Sequence, residues 1–300
     1  MNPALAPHGR RRVLIATDLD RTMIYSRAAF GDVVERLIAE NPDIAAAGSA
    51  VCVEHLDGAP LSFLLASAAR RLRGLAESVP VVPTTTRTIA QFQRIRLPGA
   101  PWRYAITSNG GNILRDGEPD PQWRASVAAE VEASGVVLAE VTSRLRGLID
   151  DSWVDKFRVA DELFCYLVVR PDAVPRDFVA TWGAWCAQRG WSVSQQGRKI
   201  YMMPNAVCKS AAVAEVRRRL HESGELSAEA TLLAAGDGAL DAEMLRAADL
   251  AIRPRHGELE YLSWTNPNLT ITEAVGIRAG EEIIEWFYDH SMRPAALGVE

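Results

Sequence analysis

Residues 13–17 (VLIAT) form a short apolar run that stops abruptly at Asp18-Leu19-Asp20. An apolar run without polar alternation suits a strand buried on both faces, and such strands belong to parallel sheets covered by helices. The pattern recurs along the chain. Helix is expected over 61–78, strand over 79–82, helix over 89–96 and strand over 103–107. Further on come helix 209–222, strand 231–235, helix 239–247 and strand 250–252. This alternation predicts an α/β fold with a doubly wound, Rossmann-like parallel sheet.

Residues 113–203 have a different rhythm: helix over 126–148, strands over 153–159 and 163–170, helix over 176–189, and strands over 191–196 and 199–203. An α-β-β unit repeated twice is an α+β pattern. We therefore expect a domain inserted at 113–203, with 1–112 and 204–300 forming the core. Trp123, Trp153, Trp182, Trp185 and Trp191 fall in the insert and read as its core, not as a stacking platform.

The chain has 300 residues, 48% of them hydrophobic, which is enough for two such cores. A net charge of −5 gives no extended basic surface, so broad nucleic-acid binding is not expected. No run reaches the ~18 apolar residues of a membrane span, and MNPALAPHGRRR lacks the apolar segment of a secretion signal. Cys52, Cys165, Cys186 and Cys208 show no CxxC spacing and read as reduced thiols. A cytoplasmic monomer or homodimer with no membrane partner is expected, and residues 291–300 are expected to fray.

Two carboxylates at one strand end, Asp18 and Asp20, are not comfortably charged together unless a cation lies between them or one holds a proton. That suits a magnesium site with a nucleophile beside an acid/base partner, although strand-to-loop junctions also carry Asp for turns and caps. Gly236-Asp237-Gly238-Ala239-Leu240-Asp241 follows a second apolar run, and its two acids either face the same site or cap the helix that starts there. Thr84-Thr85-Thr86-Arg87 follows a third run, offering hydroxyls and a guanidinium to phosphate oxygens or serving as an ordinary helix start. Lys209 opens a helix, where a cation opposes the helix dipole; a phosphate-facing ammonium would supply a reason for it, while a lysine taken alone reads better as a solvated surface residue. Parallel-sheet geometry gathers these strand ends along one crevice, and the assembled groups suit phosphoryl transfer through an aspartyl-phosphate.

Taken in order, the four motifs resemble those of the haloacid dehalogenase (HAD) superfamily, and the resemblance covers nearly the whole chain. Thr85-Thr86-Arg87 resembles a TGR segment, and Ser108-Asn109-Gly110-Gly111 resembles the SNGA that leads into the cap of the Cof-type, sucrose-phosphatase-like and mannosylglycerate-phosphatase-like branch. The insert lies where a C2 cap lies, and its two units resemble the C2B variety. The resemblance implies that Asp18 attacks phosphorus and ligates Mg2+. Asp20 would protonate the leaving oxygen, activate water and offer its carbonyl to the metal. Thr85 and Lys209 would hold phosphoryl oxygens, Asp237 would be the third metal ligand, and Asp241 would support the metal site from close by.

Three departures stand out: Arg21 and Thr86 replace glycines, and Leu240 replaces a common asparagine. DLDRT and TTTR also resemble phosphatases of bacterial tellurite-resistance-type gene clusters, which would favour a ribosyl or nucleotide-like phosphate. Arg21, Arg87 and Asn109 are candidates for substrate contact, as are Lys156, Arg158, Arg198 and Lys199 on the expected cap strands. Arg21 either meets an anionic group or points outward into a salt bridge. The four cap residues either pair with a second anionic group or are solvated. The expected activity is Mg2+-dependent hydrolysis of a small phosphorylated metabolite. A phosphomannomutase-like mutase and a non-catalytic phospho-ligand sensor are the alternatives.

Overall fold

Alternating strands and helices resolve into a five-stranded parallel sheet in the computed structural model, which describes residues 11–30 and 50–292. The chain runs through β1 (Arg11–Thr17), the hairpin β2 (Ala50–Leu56) and β3 (Ala59–Leu65), α1 (Ala66–Ser78), β4 (Val81–Pro83) and α2 (Ile89–Phe92). Next come β5 (Tyr104–Thr107), β6 (Asn112–Arg115), β7 (Glu118–Pro119), α3 (Pro121–Ser134) and α4 (Leu138–Arg146). β8 (Val154–Ala160), β9 (Phe164–Val169), α5 (Phe178–Ala187), β10 (Trp191–Gln196) and β11 (Lys199–Pro204) follow. The last elements are α6 (Lys209–Glu222), β12 (Leu226–Ala235), α7 (Ala242–Ala247), β13 (Leu250–Arg253), α8 (Glu258–Tyr261), β14 (Leu269–Ile271) and α9 (Ile277–Met292).

The sheet order is β14-β13-β12-β1-β4, all parallel. Thr17 lies opposite Ala235 on one side and Pro83 on the other, so Asp18, Gly236 and Thr84 leave the sheet side by side. Leu14 and Ala16 pack with α6 and α7 through Ala212, Val216 and Leu245, whereas Val13 and Ile15 pack with Leu75 of α1 and with Ile283 and Phe287 of α9. Both faces of β1 are therefore covered, which is why its apolar run has no alternation.

The second sheet is antiparallel, ordered β10-β11-β9-β8. Cys165, Leu167 and Val169 of β9 and Ile200 and Met202 of β11 meet Val141, Leu145, Phe178 and Trp182 from the helices. Trp153 and Trp191 are buried in the same core, and Trp123 and Trp185 pack partly buried against it, as expected. The opposite face, carrying Tyr166 and Tyr201, turns toward the ends of the parallel strands.

Several elements differ from expectation. Residues 61–65 are the strand β3, not the start of a helix. Asp57 and Gly58 both have positive φ (51° and 79°), as a two-residue hairpin turn requires, so the chain folds back to pair β3 with β2. Strand 103–107 was expected in the parallel series, but β5 belongs to a three-stranded sheet with β6 and β7. The turn at 108–111 reverses the chain at once, setting Thr107 opposite Asn112, and Ile106 touches the main series through one parallel bridge to Thr84. Ile113, at the start of the expected insert, is buried in the core beneath the parallel sheet. The helix expected over 126–148 divides at Gly135, where a Cβ would lie 2.9 Å from the carbonyl carbon of Arg189. The helix expected over 89–96 ends at Phe92, ahead of Leu97-Pro98.

Of the tail expected to fray, Ser291 and Met292 end α9, and residues 293–300, like residues 1–10, lie outside the described residues. Among the described residues no helix is long and apolar enough to cross a membrane. All four cysteines are free thiols.

Candidate active site

Asp18 follows the C-terminal end of β1, between β12 and β4, and is 5% exposed. Its Oδ1 accepts a hydrogen bond from Lys209 Nζ (2.6 Å) and its Oδ2 one from Thr22 Oγ1 (3.2 Å). Lys209 is buried at the first turn of α6 and donates equally closely to Asp241 Oδ1 (2.6 Å). The other oxygen of Asp241 accepts the backbone N–H groups of Asp237 (3.1 Å) and Gly238 (2.9 Å), which fixes the loop carrying Asp237. One carboxylate oxygen each from Asp18, Asp237 and Asp241 falls within a 4.8 Å span.

Asp20 stands apart from this cluster. Arg87 grips it with one edge of the guanidinium, Nε to Oδ2 (2.6 Å) and Nη2 to Oδ1 (2.7 Å). The remaining Arg87 nitrogen pairs with Glu54 Oε2 (2.7 Å). The Glu54 side chain is fully buried on β2 and also meets Arg94 (3.1 Å) and Ser62 Oγ (2.6 Å). The hairpin β2–β3 thus supplies the counter-charge behind Arg87.

Burial raises the Asp18 carboxyl to about 7; the Lys209 ammonium opposes the shift, while the neighbouring Asp241 and Asp20 charges reinforce it. Asp237 is raised well above the carboxylate range by burial and by Asp18 and Asp241. Burial alone would lower Lys209, but Asp18 and Asp241 outweigh it and keep the ammonium charged. Burial would likewise raise Asp20, but the Arg87 hydrogen bonds and charge more than reverse this and hold it below the ordinary range. The site therefore contains crowded carboxylates short of positive charge beside one carboxylate that is fully matched.

The structure sorts the other candidates. Thr85 is fully buried, and its Oγ1 accepts the Arg87 N–H (3.1 Å), while Thr86 lines the crevice. Arg21 adopts φ 62° and lines the crevice, its half-exposed side chain placing Nε 3.5 Å from Asp237 Oδ2. Asn109 does not line the crevice. It is buried at φ 58° and donates from Nδ2 to the Val207 carbonyl (2.9 Å), tying the 108–111 turn to the approach to Lys209.

Of the four basic residues on the second sheet, Arg198 and Lys199 line the crevice. Lys156 and Arg158 lie on the edge strand β8, outside its lining, because β8 is the strand farthest from the β10–β11 hairpin tip that reaches the core. Glu54, Ser62, Tyr166, Tyr201 and Glu258 were not candidates. Asp57-Gly58 was the available signal for the hairpin that brings in Glu54 and Ser62, and strand alternation was the signal for the two tyrosines.

The crevice measures about 1250 Å³ and lies between the strand ends and the second sheet. Ser194 Oγ reaches Glu258 Oε1 (3.4 Å) on one side. On the other, Asp161 at the β8–β9 turn accepts from Ser108 Oγ, Asn112 Nδ2 (3.2 Å) and Ile89 N (3.1 Å).

No protein-family profile matches the chain, and no curated protein matches it in sequence. Solved structures do match in shape. The sucrose-phosphatase of Synechocystis sp. PCC6803, in complex with sucrose and phosphate, superposes with a TM-score of 0.60 at 16% identity, over 93% of this chain and 98% of that one. A trehalose-6-phosphate phosphatase related protein gives 0.54 at 16% identity, over 92% and 97%. A HAD subclass IIB sugar phosphatase gives 0.53 at 11% identity, over 93% and 100%. At such identities the likeness is one of architecture, and this chain has the fold of the HAD-superfamily phosphatases: a Rossmann-like parallel core with antiparallel cap sheets.

Proposed function

We propose that the chain is a Mg2+-dependent phosphatase that hydrolyses a small phosphorylated metabolite through an aspartyl-phosphate on Asp18. The observation that carries this reading is the buried Asp18–Lys209–Asp241 contact, with Asp20 two residues away at the same strand end. An Asp18 oxygen attacks phosphorus as the ester P–O bond breaks, and a proton from Asp20 passes to the departing alkoxide. Asp20, now a carboxylate, takes a proton from water as that water attacks the phosphorus. Phosphate leaves and Asp18 is restored. Lys209 holds a phosphoryl oxygen and offsets charge that builds in the transition state. Because Arg87 keeps Asp20 ionised, its grip must loosen when the leaving oxygen reaches Asp20. The match with Arg87 keeps Asp20 in the carboxylate form that its second role, as base, requires, and loosening of that grip restores its basicity.

The crowded oxygen donors of Asp18 and Asp237, both raised first by burial and then by neighbouring carboxylates, fit a hard divalent cation, with Asp241 as a support. The chemistry supplied by Mg2+ held there would be charge neutralisation at the phosphoryl oxygens and at Asp18. Residues 113–203 act as a cap that excludes water and selects the leaving group, contacting the core at Ser194–Glu258 and at Asp161. The test is Asp18→Asn assayed by phosphate release with Mg2+. Turnover should fall by roughly three orders of magnitude or more while circular dichroism is unchanged. Near-normal release would remove Asp18 from the mechanism, and full activity in excess EDTA would remove the metal.

A further inference from the structure

We infer that Lys199 is the recognition point for a second anionic group on the leaving portion of the substrate, so that the ester cleaved is a phosphorylated acid or a bisphosphate. This rests on the phosphatase reading for the scissile end of the substrate. Among the described residues five cations line the crevice, and four of them face carboxylates. Lys209 is matched by Asp18 and Asp241, Arg87 by Asp20 and Glu54, Arg198 by Asp155 (2.6 Å), and Arg21 faces Asp237. Lys199 alone has no carboxylate within 4.0 Å among the described residues. Asp20, a carboxylate whose charge acts on Lys199, has both oxygens occupied by Arg87.

The ammonium is nonetheless held in place. It stands over the rings of Tyr166 (5.6 Å) and Tyr201 (5.9 Å), which lie opposite each other on neighbouring strands. Two aromatic faces fix the lysine without neutralising it, leaving its N–H groups for an acceptor that arrives from the crevice. The residue as a whole is exposed at the hairpin tip; the crevice walls around its ammonium favour the neutral amine, but Tyr201, Asp20 and Tyr166 together outweigh them, so the group stays charged. Position also fits: Lys199 begins β11 at the hairpin tip and lines the same crevice as Asp20, the group assigned to protonate the departing alkoxide. A wholly neutral sugar would leave this ammonium without a counter-charge in a crevice it fills.

The experiment compares matched esters in the full-length protein with Mg2+: glucose 6-phosphate against 6-phosphogluconate for a carboxylate, and glucose 6-phosphate against glucose 1,6-bisphosphate for a second phosphate. The readout is the ratio of kcat/KM for the charged and neutral members, which a general loss of activity does not move. Wild type should favour at least one charged ester by about tenfold, the scale of one charge-assisted hydrogen bond. Lys199→Gln should bring that ratio close to one, and Lys199→Arg should restore it. The carboxylate and phosphate arms tell which anion is read. A wild-type ratio near one in both arms, or a Lys199→Gln ratio equal to wild type, overturns the inference. Calorimetric binding of the same esters to the Asp18→Asn protein separates the two readings. A Lys199-dependent preference in binding without turnover in the wild type would sink the phosphatase reading and leave the anion site standing.

Discussion

Gly110 is the residue at which a single added carbon should do most damage. Its φ is +100°, a conformation that L side chains rarely adopt, and a Cβ there would lie 2.6 Å from the carbonyl carbon of Cys208 and 3.1 Å from the Lys209 nitrogen. Those atoms are backbone, so no side chain can swing aside to relieve the overlap. The segment that must retreat is the start of α6, whose first residue delivers its ammonium to Asp18 and Asp241 at 2.6 Å. The backbone conformation alone costs roughly 1–3 kcal/mol and the overlap a similar amount, so Gly110→Ala should destabilise by about 3 kcal/mol. For a chain of this length that lowers Tm by roughly 6 °C. Moving Lys209 by about an ångström should cost on the order of a hundredfold in kcat, well beyond what lost stability explains below the melting range. Differential scanning fluorimetry and phosphate release at 20 °C test both parts. A variant within about twofold of wild-type activity, with Tm unchanged, would refute the close-packing argument.

Removing Glu54 as Glu54→Ala strips the fully buried counter-charge from Arg87 and Arg94 and should cost about 3 kcal/mol; the loss in Glu54→Ala/Arg87→Ala should be well below the sum of the singles in chemical denaturation, and strict additivity would deny the coupling. Arg21→Gly exchanges an ion pair for relief of left-handed backbone, so stability should change by under about 1 kcal/mol. The Mg2+ concentration for half-maximal phosphate release should fall about threefold, because a cation competing for Asp237 is gone; an increase would contradict this. Arg218 hydrogen bonds, with help from Arg219, hold Glu215 down at about 2 against its ordinary 4.5, so its contribution to stability is present above pH 4.5 and lost as pH falls toward 2. The Tm gap between wild type and Glu215→Gln should therefore narrow across that interval, and a constant gap would show that the carboxylate's charge is not what stabilises.

The parts of the fold that could be read from the sequence are those in which one local segment carries its own signal. β1 could be read because both faces are buried, and α6 because Lys209 sits at a helix start with no local reason to be there. Residues 61–65 could not be read from apolar content alone, since Leu61, Phe63, Leu64 and Leu65 suit the beginning of a helix as well as a strand; the pairing partner decides, and Asp57-Gly58 was the cue. Glu54 illustrates the deeper limit. A carboxylate in the middle of a strand has no spacing signature, and only the hairpin's position in space brings it to Arg87. Asn109 carried a motif signal, and the structure gives it a task in the backbone, not in the crevice. Lys156, Arg158 and Lys199 looked alike in sequence because alternation places them on one face, with Arg198 in the turn just before Lys199, whereas strand order sends Lys156 and Arg158 to the edge.

The hydrogen bond from Asn109 to the Val207 carbonyl has a topological meaning. It joins the stretch through which the chain departs the parallel core to the stretch through which it comes back, nearly a hundred residues later. Everything between is a closed loop whose ends are pinned together beside the catalytic lysine. The entropy of closing a loop grows only with the logarithm of its length, so the length spliced between those two points costs the core little, provided that Ile113 stays in its place beneath the parallel sheet. A cap with another size or chemistry could be exchanged there, and the exchange would succeed to the extent that the splice preserves that knot of Asn109, Gly110 and Val207.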